Sequence, residues 1–176
     1  DIHRLGGITA EGDLHLPPLQ TVRRRWVWLL VNLFTAVIAS AAISVFADTI
    51  EQIAALATLM PIVPPMAGNA GTQPLTVAVR ALATRELTAA NASRILWKEC
   101  IVGGTNGLIF AVLAALGASL WFASPIIGLV IGLAMIINLL VAGAAGMLIL
   151  LGLSRAGVDP AISAGIFLTT VTDVVG

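Results

Sequence analysis

The sequence predicts an all-α membrane protein of five transmembrane helices with its N-terminus on the cytoplasmic side. Of its 176 residues 59% are hydrophobic and 10% charged, with a mean hydropathy of +1.02. Its uncharged runs reach about 20 residues and more, which a soluble domain this small has too little interior to hide. Once five spans are drawn, all nine Lys and Arg residues fall on one side, the distribution that the positive-inside rule requires.

The first span is read over residues 26–47, from Trp26 to Ala47, free of charge and long enough at ~1.5 Å per residue to cross a hydrocarbon layer of ~30 Å. The second, over 53–79, is also uncharged but holds Pro61, Pro64, Pro65 and Pro74 with Gly68 and Gly71, so it should cross as a bent or broken helix. No charge occurs from Cys100 to Ser154. That stretch suits two spans, 100–122 and 126–153, reversing where Ala123, Ser124 and Pro125 form a turn. Asp159-Pro160 reads as an N-cap followed by proline at the first helical position, opening a fifth span over 160–176. Residues 1–25, with Gly6, Gly7, Pro17, Pro18 and scattered charges, read as a cytoplasmic connector rather than a domain. The chain starts at Asp1 rather than Met and reads as a portion of a longer protein.

The basic residues form separate groups on the inner side. Arg4, Arg23, Arg24 and Arg25 precede span one, Arg80, Arg85, Arg94 and Lys98 join spans two and three, and Arg155 joins spans four and five. The formal net charge is zero, so there is no basic excess to suggest a nucleic-acid partner. His3 and His15 both lie in the connector, which leaves no histidine within the spans for a metal cluster or a catalytic triad, and an enzyme is not expected. Cys100 is single and reads as a packing residue.

Two stretches carry the chemistry. Asp173 is the one carboxylate inside a predicted span, about 20 Å along the last helix and past the bilayer midplane counted from inside. A charge at that depth costs upwards of ~2.5 kcal/mol on insertion scales, so it should face a polar cavity, a partner cation or a metal ion. Thr169 and Thr170 share its helix face and add oxygens suited to a hydrated cation. A protonated aspartate making one interhelical hydrogen bond is the competing reading.

The other stretch is Pro61 to Thr76, reading PIVPPMAGNAGTQPLT. Its prolines remove backbone donors and its glycines permit unusual dihedrals, so carbonyl oxygens should be exposed in mid-span, lining a watery path with Asn69, Thr72, Gln73 and Thr76. A kinked helix whose Gly68 and Gly71 only allow close packing is the alternative. Small-residue pairs at Gly103/Gly107 and Gly128/Gly132 predict close helix packing, and Asn138 an interhelical hydrogen bond.

These motifs resemble the MgtE-type magnesium transporters. The family's second-span motif, of the form PMxGNxGTQ, stands here as Pro65-Met66-Ala67-Gly68-Asn69-Ala70-Gly71-Thr72-Gln73, followed by Thr76 and Arg80. Asp159-Pro160-Ala161 and Thr169-Thr170-Val171-Thr172-Asp173 are similar to its last helix. The resemblance implies a magnesium channel in the cell membrane, a homodimer with its pore at the twofold axis, moving hydrated Mg2+ down its electrochemical gradient. Asp173 would be the metal-binding residue, meeting its symmetry mate across the ion, and Gly68, Asn69, Gly71, Thr72, Thr76, Thr169 and Thr170 would line the pore. The resemblance also implies regulatory CBS-type domains upstream, of which residues 1–25 match only the end of the connecting helix; the double proline at Pro64 and Pro65 departs from the commoner motif. Two aspartates on a twofold axis bring a charge of about −2, which a dication cancels. Mn2+, Co2+ or Ni2+ could enter such a hydrated site as well. A carrier exchanging Mg2+ for sodium or protons, and a membrane assembly subunit that transports nothing, stand as the alternatives.

Overall fold

The computed structural model describes residues 17–88, 90–158 and 160–176. Most of the connector, with Arg4, His3 and His15, and the N-cap expected at Asp159 lie outside the described residues. The described elements are all helical: α1 (Pro18–Ser44), α2 (Ala47–Gln52), α3 (Ala54–Leu59), α4 (Val63–Ala83), α5 (Ala92–Trp121), α6 (Pro125–Arg155) and α7 (Pro160–Val175).

Helix α1 starts at Pro18 rather than at the apolar boundary, so residues 18–25 of the expected connector are its first turns. Proline is pre-organised for an opening position, and the residues that follow are good helix formers. The acidic residues Asp48 and Glu51, which separate the first two predicted spans, fall on the short α2.

The second span is broken, but not where its glycines are. The break comes at Met60–Ile62, between α3 and α4, and from Val63 onward the chain is regular α-helix through Gly68, Gly71 and Pro74. The expectation of exposed mid-span carbonyls is corrected accordingly. Pro64 and Pro65 sit in the first turn of α4, where the missing N–H groups would have had no helical partner anyway, so they open the helix instead of interrupting it. Pro74 is the one interior proline of α4 and deprives a single carbonyl, that of Ala70, of its helical donor.

The turn expected near residues 122–125 is present. Ala123 takes a positive φ of 49°, Ser124 is extended as the residue before proline should be, and Pro125 opens α6. Helices α1, α5 and α6 are each long and apolar enough to cross a membrane, and Ser163–Val175 of α7 is apolar but shorter. Helix α4 has the length, at 21 residues, but its polar residues keep it out of that class.

Helix α6 is the centre of the bundle. It is apolar on all sides, as a helix surrounded by others must be, and it buries residues from Gly128 to Leu150 against α4, α5 and α7. Two buried clusters form around it. One gathers Leu75, Met147, Leu150, Ala164 and Leu168, the other Leu59, Val63, Ala111, Ile131, Met135 and Leu139.

The α5–α6 pair touches backbone to backbone. A Cβ at Gly103 would stand 2.8 Å from the carbonyl oxygen of Leu139, and one at Gly143 would stand 2.8 Å from that of Glu99. Substituting valine at Gly103 should therefore destabilise the bundle by about 1–3 kcal/mol through forced backbone separation. A lowered thermal midpoint in detergent would register it; an unchanged midpoint would mean that α5 and α6 do not meet there.

Candidate functional site

The geometry of the site begins at the seam between α4 and α7. Gly68 faces Thr172, whose hydroxyl a Cβ on Gly68 would approach to 3.6 Å. One turn on, Gly71 faces Leu168, and Gly176 lies against Pro64. Residue numbers rise on one helix as they fall on the other, so the two run antiparallel. In an antiparallel pair of right-handed helices, the residue one step past a seam position turns to the same flank on both. Asn69 and Thr72 follow Gly68 and Gly71; Thr169 and Asp173 follow Leu168 and Thr172. These four, with Thr76 one turn beyond Thr72, therefore share one flank of the seam. Asn69, Thr72, Thr76 and Thr169 are exposed there and Asp173 is partly so.

The hydroxyl protons on this flank are already committed. Thr72 Oγ1 donates to the Asn69 carbonyl at 2.7 Å and Thr76 Oγ1 to the Thr72 carbonyl at 2.8 Å. On α7, Thr169 Oγ1 donates to the Gly165 carbonyl and Thr170 Oγ1 to the Ile166 carbonyl at 2.7 Å. A hydroxyl that gives its proton to its own helix keeps its lone pairs as acceptors. The flank thus presents a row of oxygen acceptors leading along the seam from a carboxylate, which suits a cation or the water protons around one.

The Asp173 carboxylate makes no hydrogen bond or ion pair among the described residues. It lies at the edge of a cavity of about 510 Å³ whose other walls include Phe46, Val63, Pro64, Ile131 and Ala134, and it is the one ionisable group among the described lining residues. No group of three His, Cys, Asp or Glu side chains that could enclose a metal is found among the described residues.

The structure separates the sequence-predicted residues into two sets. Asn69, Thr72, Thr76, Thr169 and Asp173 come together on the open flank, and Thr170 is half-buried beside them on α7. Gly71 does not join them: it is buried, with Leu168 and the Ala142 carbonyl against it. Gly68 is half-buried against Thr172. Gly71 is therefore packed within the helix seam, while Gly68 makes only an ordinary contact at its edge. Asn138 makes its interhelical bond, its Nδ2 donating to the Thr172 carbonyl at 3.0 Å. Thr172 itself, fully buried, was not singled out from the sequence; its neighbour Asp173 drew the attention, and nothing in a single sequence pairs it with Gly68 or Asn138.

Comparison with known proteins settles the family. A model of the MgtE divalent cation transporters matches residues 60–176, which take in all of α4 to α7. The chain belongs to the MgtE family. MgtE proteins are transporters rather than enzymes. Among curated relatives, a magnesium transporter MgtE from Enterococcus faecalis is 32% identical over 174 residues, covering 99% of this chain and 38% of the relative. One from Bacillus subtilis is 34% identical over 151 residues, covering 86% and 34% respectively. One from Thermus thermophilus is 31% identical over 178 residues, covering 100% and 39%. The chain thus spans between a third and two fifths of the length of these MgtE relatives.

Proposed function

We propose that this chain forms the pore of a magnesium channel in the cell membrane. Two copies pack about a twofold axis with the α4–α7 flanks facing each other, and hydrated Mg2+ passes between them down its electrochemical gradient. Five spans are made by α1, the broken α3–α4, α5, α6 and α7. Residues 1–25 connect them to cytoplasmic regulatory domains of the CBS type. The described basic residues favour an N-terminus inside, because Arg23, Arg80, Arg94, Lys98 and Arg155 all sit at those helix ends that five alternating spans bring to one side.

One observation carries the reading: a carboxylate with no partner among the described residues stands on the same open flank as a row of hydroxyl oxygens whose protons are spent. Such a flank cannot face acyl chains cheaply, since polar groups in hydrocarbon lie against protein or water. A second copy covers it, and the two Asp173 carboxylates hold a dication, while the Thr169, Thr72 and Thr76 oxygens, spaced along the flank at successive levels, accept from the waters of an ion moving past them. Magnesium parts with water reluctantly and keeps several waters when bound, so a wide oxygen-lined path fits it better than a dry cage. Mn2+, Co2+ and Ni2+ pass by the same contacts.

Reconstituted into liposomes, the protein should carry Mg2+ when a magnesium gradient is the sole driving force. Transport that stops without a proton or sodium gradient would instead assign a coupled carrier, and no transport at all an assembly subunit. The dimer has its own check. In a Cys100→Ser background, Thr169→Cys should form a disulfide-linked dimer in membranes on mild oxidation, and a persistent monomer would contradict the facing flanks.

A further inference from the structure

Asn138 is more than a rivet between two helices. It sits on α6 where the two apolar clusters adjoin, with none of its surface exposed. Its Nδ2 donates to the Thr172 carbonyl at 3.0 Å, an oxygen that already accepts the Gly176 N–H at 3.0 Å. Its Oδ1 has no donor among the described residues. A buried amide oxygen without a donor is a net cost to folding, and an apolar side chain of the same shape would serve stability as well or better. What the amide uniquely does is tie the α7 backbone at the peptide that joins Thr172 to Asp173.

Residue 172 is gripped on every other side as well. Its hydroxyl donates to the Thr169 carbonyl at 3.0 Å, its side chain is fully buried, and Gly68 packs against it. Gly176 makes the amide's approach feasible: a Cβ there would run into Asn138 Nδ2 and stand 2.9 Å from the Thr172 oxygen and 3.0 Å from Pro64 Cγ. The inner side of this stretch of α7 is thus fixed while its outer side presents Asp173.

We propose that Asn138 is a positioning residue for ion selectivity, holding the backbone at Thr172 so that the Asp173 carboxylate stands at one fixed place on the pore flank. The inference rests on the proposed pore and adds a selectivity role to a residue outside it. Mg2+ demands near-octahedral geometry at short distance, whereas Ca2+ accepts more ligands in flexible arrangements. A carboxylate held still therefore favours Mg2+, and one released favours Ca2+ by comparison.

Flux of Mg2+ and of Ca2+ would be measured in the same liposomes for the wild type, Asn138→Leu, Gly176→Ala and Asp173→Asn, beside the thermal midpoint of each. Asn138→Leu is expected to keep its Mg2+ flux within a few-fold and its thermal midpoint unchanged or raised. Its Mg2+/Ca2+ ratio should fall by about fivefold or more, the size of one net hydrogen bond. Gly176→Ala, which displaces the same amide without altering α6, should lower the ratio in the same direction. A lowered midpoint with an unmoved ratio in Asn138→Leu would make Asn138 a structural bond alone and overturn the proposal. If that variant does not assemble, Gly176→Ala decides, and an unmoved ratio there overturns it too. Asp173→Asn separates the two levels: wild-type flux in that variant sinks the pore reading itself, whereas loss of flux there with unmoved ratios elsewhere sinks only the role of Asn138.

Discussion

Asp173→Asn should reduce Mg2+ flux into liposomes by about a hundredfold or more, with helix content and thermal midpoint kept. The substitution is nearly isosteric and removes no side-chain bond made among the described residues, so nothing in the described fold depends on the charge. The neutral amide is also the cheaper group to hold within a bilayer. In the proposed dimer, transport loses both carboxylates of the twofold site at once. Opposite unit charges about 4 Å apart interact by roughly 4 kcal/mol at an effective dielectric of about 20, and intervening water lowers that figure. Even half of it, at about 1.4 kcal/mol per decade, exceeds a tenfold change for each carboxylate. A magnesium-sensitive dye trapped in the liposomes reads the result, and equal flux from wild type and variant would remove Asp173 from the pathway.

Much of this fold could be read from the sequence because lipid imposes a coarse rule. Charge-free runs place both ends of α6 and the C-terminal ends of α1 and α5 to within a few residues, but α1 and α5 begin two turns earlier, in charged segments that a hydropathy count leaves out, and the turn at Ala123 to Pro125 follows from its residue types. Proline position was harder to read. Pro64 and Pro65 look like breakers in a linear count, yet at a helix start they cost no hydrogen bond, so the break moves forward to Met60–Ile62. Glycine was harder again, since Gly71 in the motif carries no mark that tells a pore wall from a helix seam. That distinction depends on which helix lies opposite, and the position of Leu168 and Ala142 around it is a fact of tertiary packing. Asp173 stands out in the sequence for the converse reason, because the depth expected for it excludes most bland environments. Thr172 and Gly176 carry no such mark, because what ties them together is the reach of Asn138, 34 residues away from Thr172 in the chain.

Gly71→Val should destabilise the bundle by about 1–3 kcal/mol and bring Mg2+ flux close to background. A Cβ at this position would stand 2.9 and 3.0 Å from the two Leu168 methyl carbons and 3.2 Å from the Ala142 oxygen. Leu168 is 1% exposed and belongs to a buried cluster, so its tip has little room to yield, and Ala142 presents backbone. The added side chain must push α4 away from α6 and α7 together, which moves Thr72 and Thr76 relative to Asp173 and spoils the shared flank. Gly68→Ala is the contrasting case. Its Cβ meets Thr172 Oγ1 at 3.6 Å, an ordinary contact, and alanine is the better helix former by roughly 1 kcal/mol, so flux should persist with the thermal midpoint unchanged or raised. The midpoint also distinguishes the two roles that sequence left open for Gly71. A valine that merely narrowed a water-filled path would block flux and leave stability alone, whereas one wedged into a seam lowers both, and the buried position of Gly71 requires the second outcome.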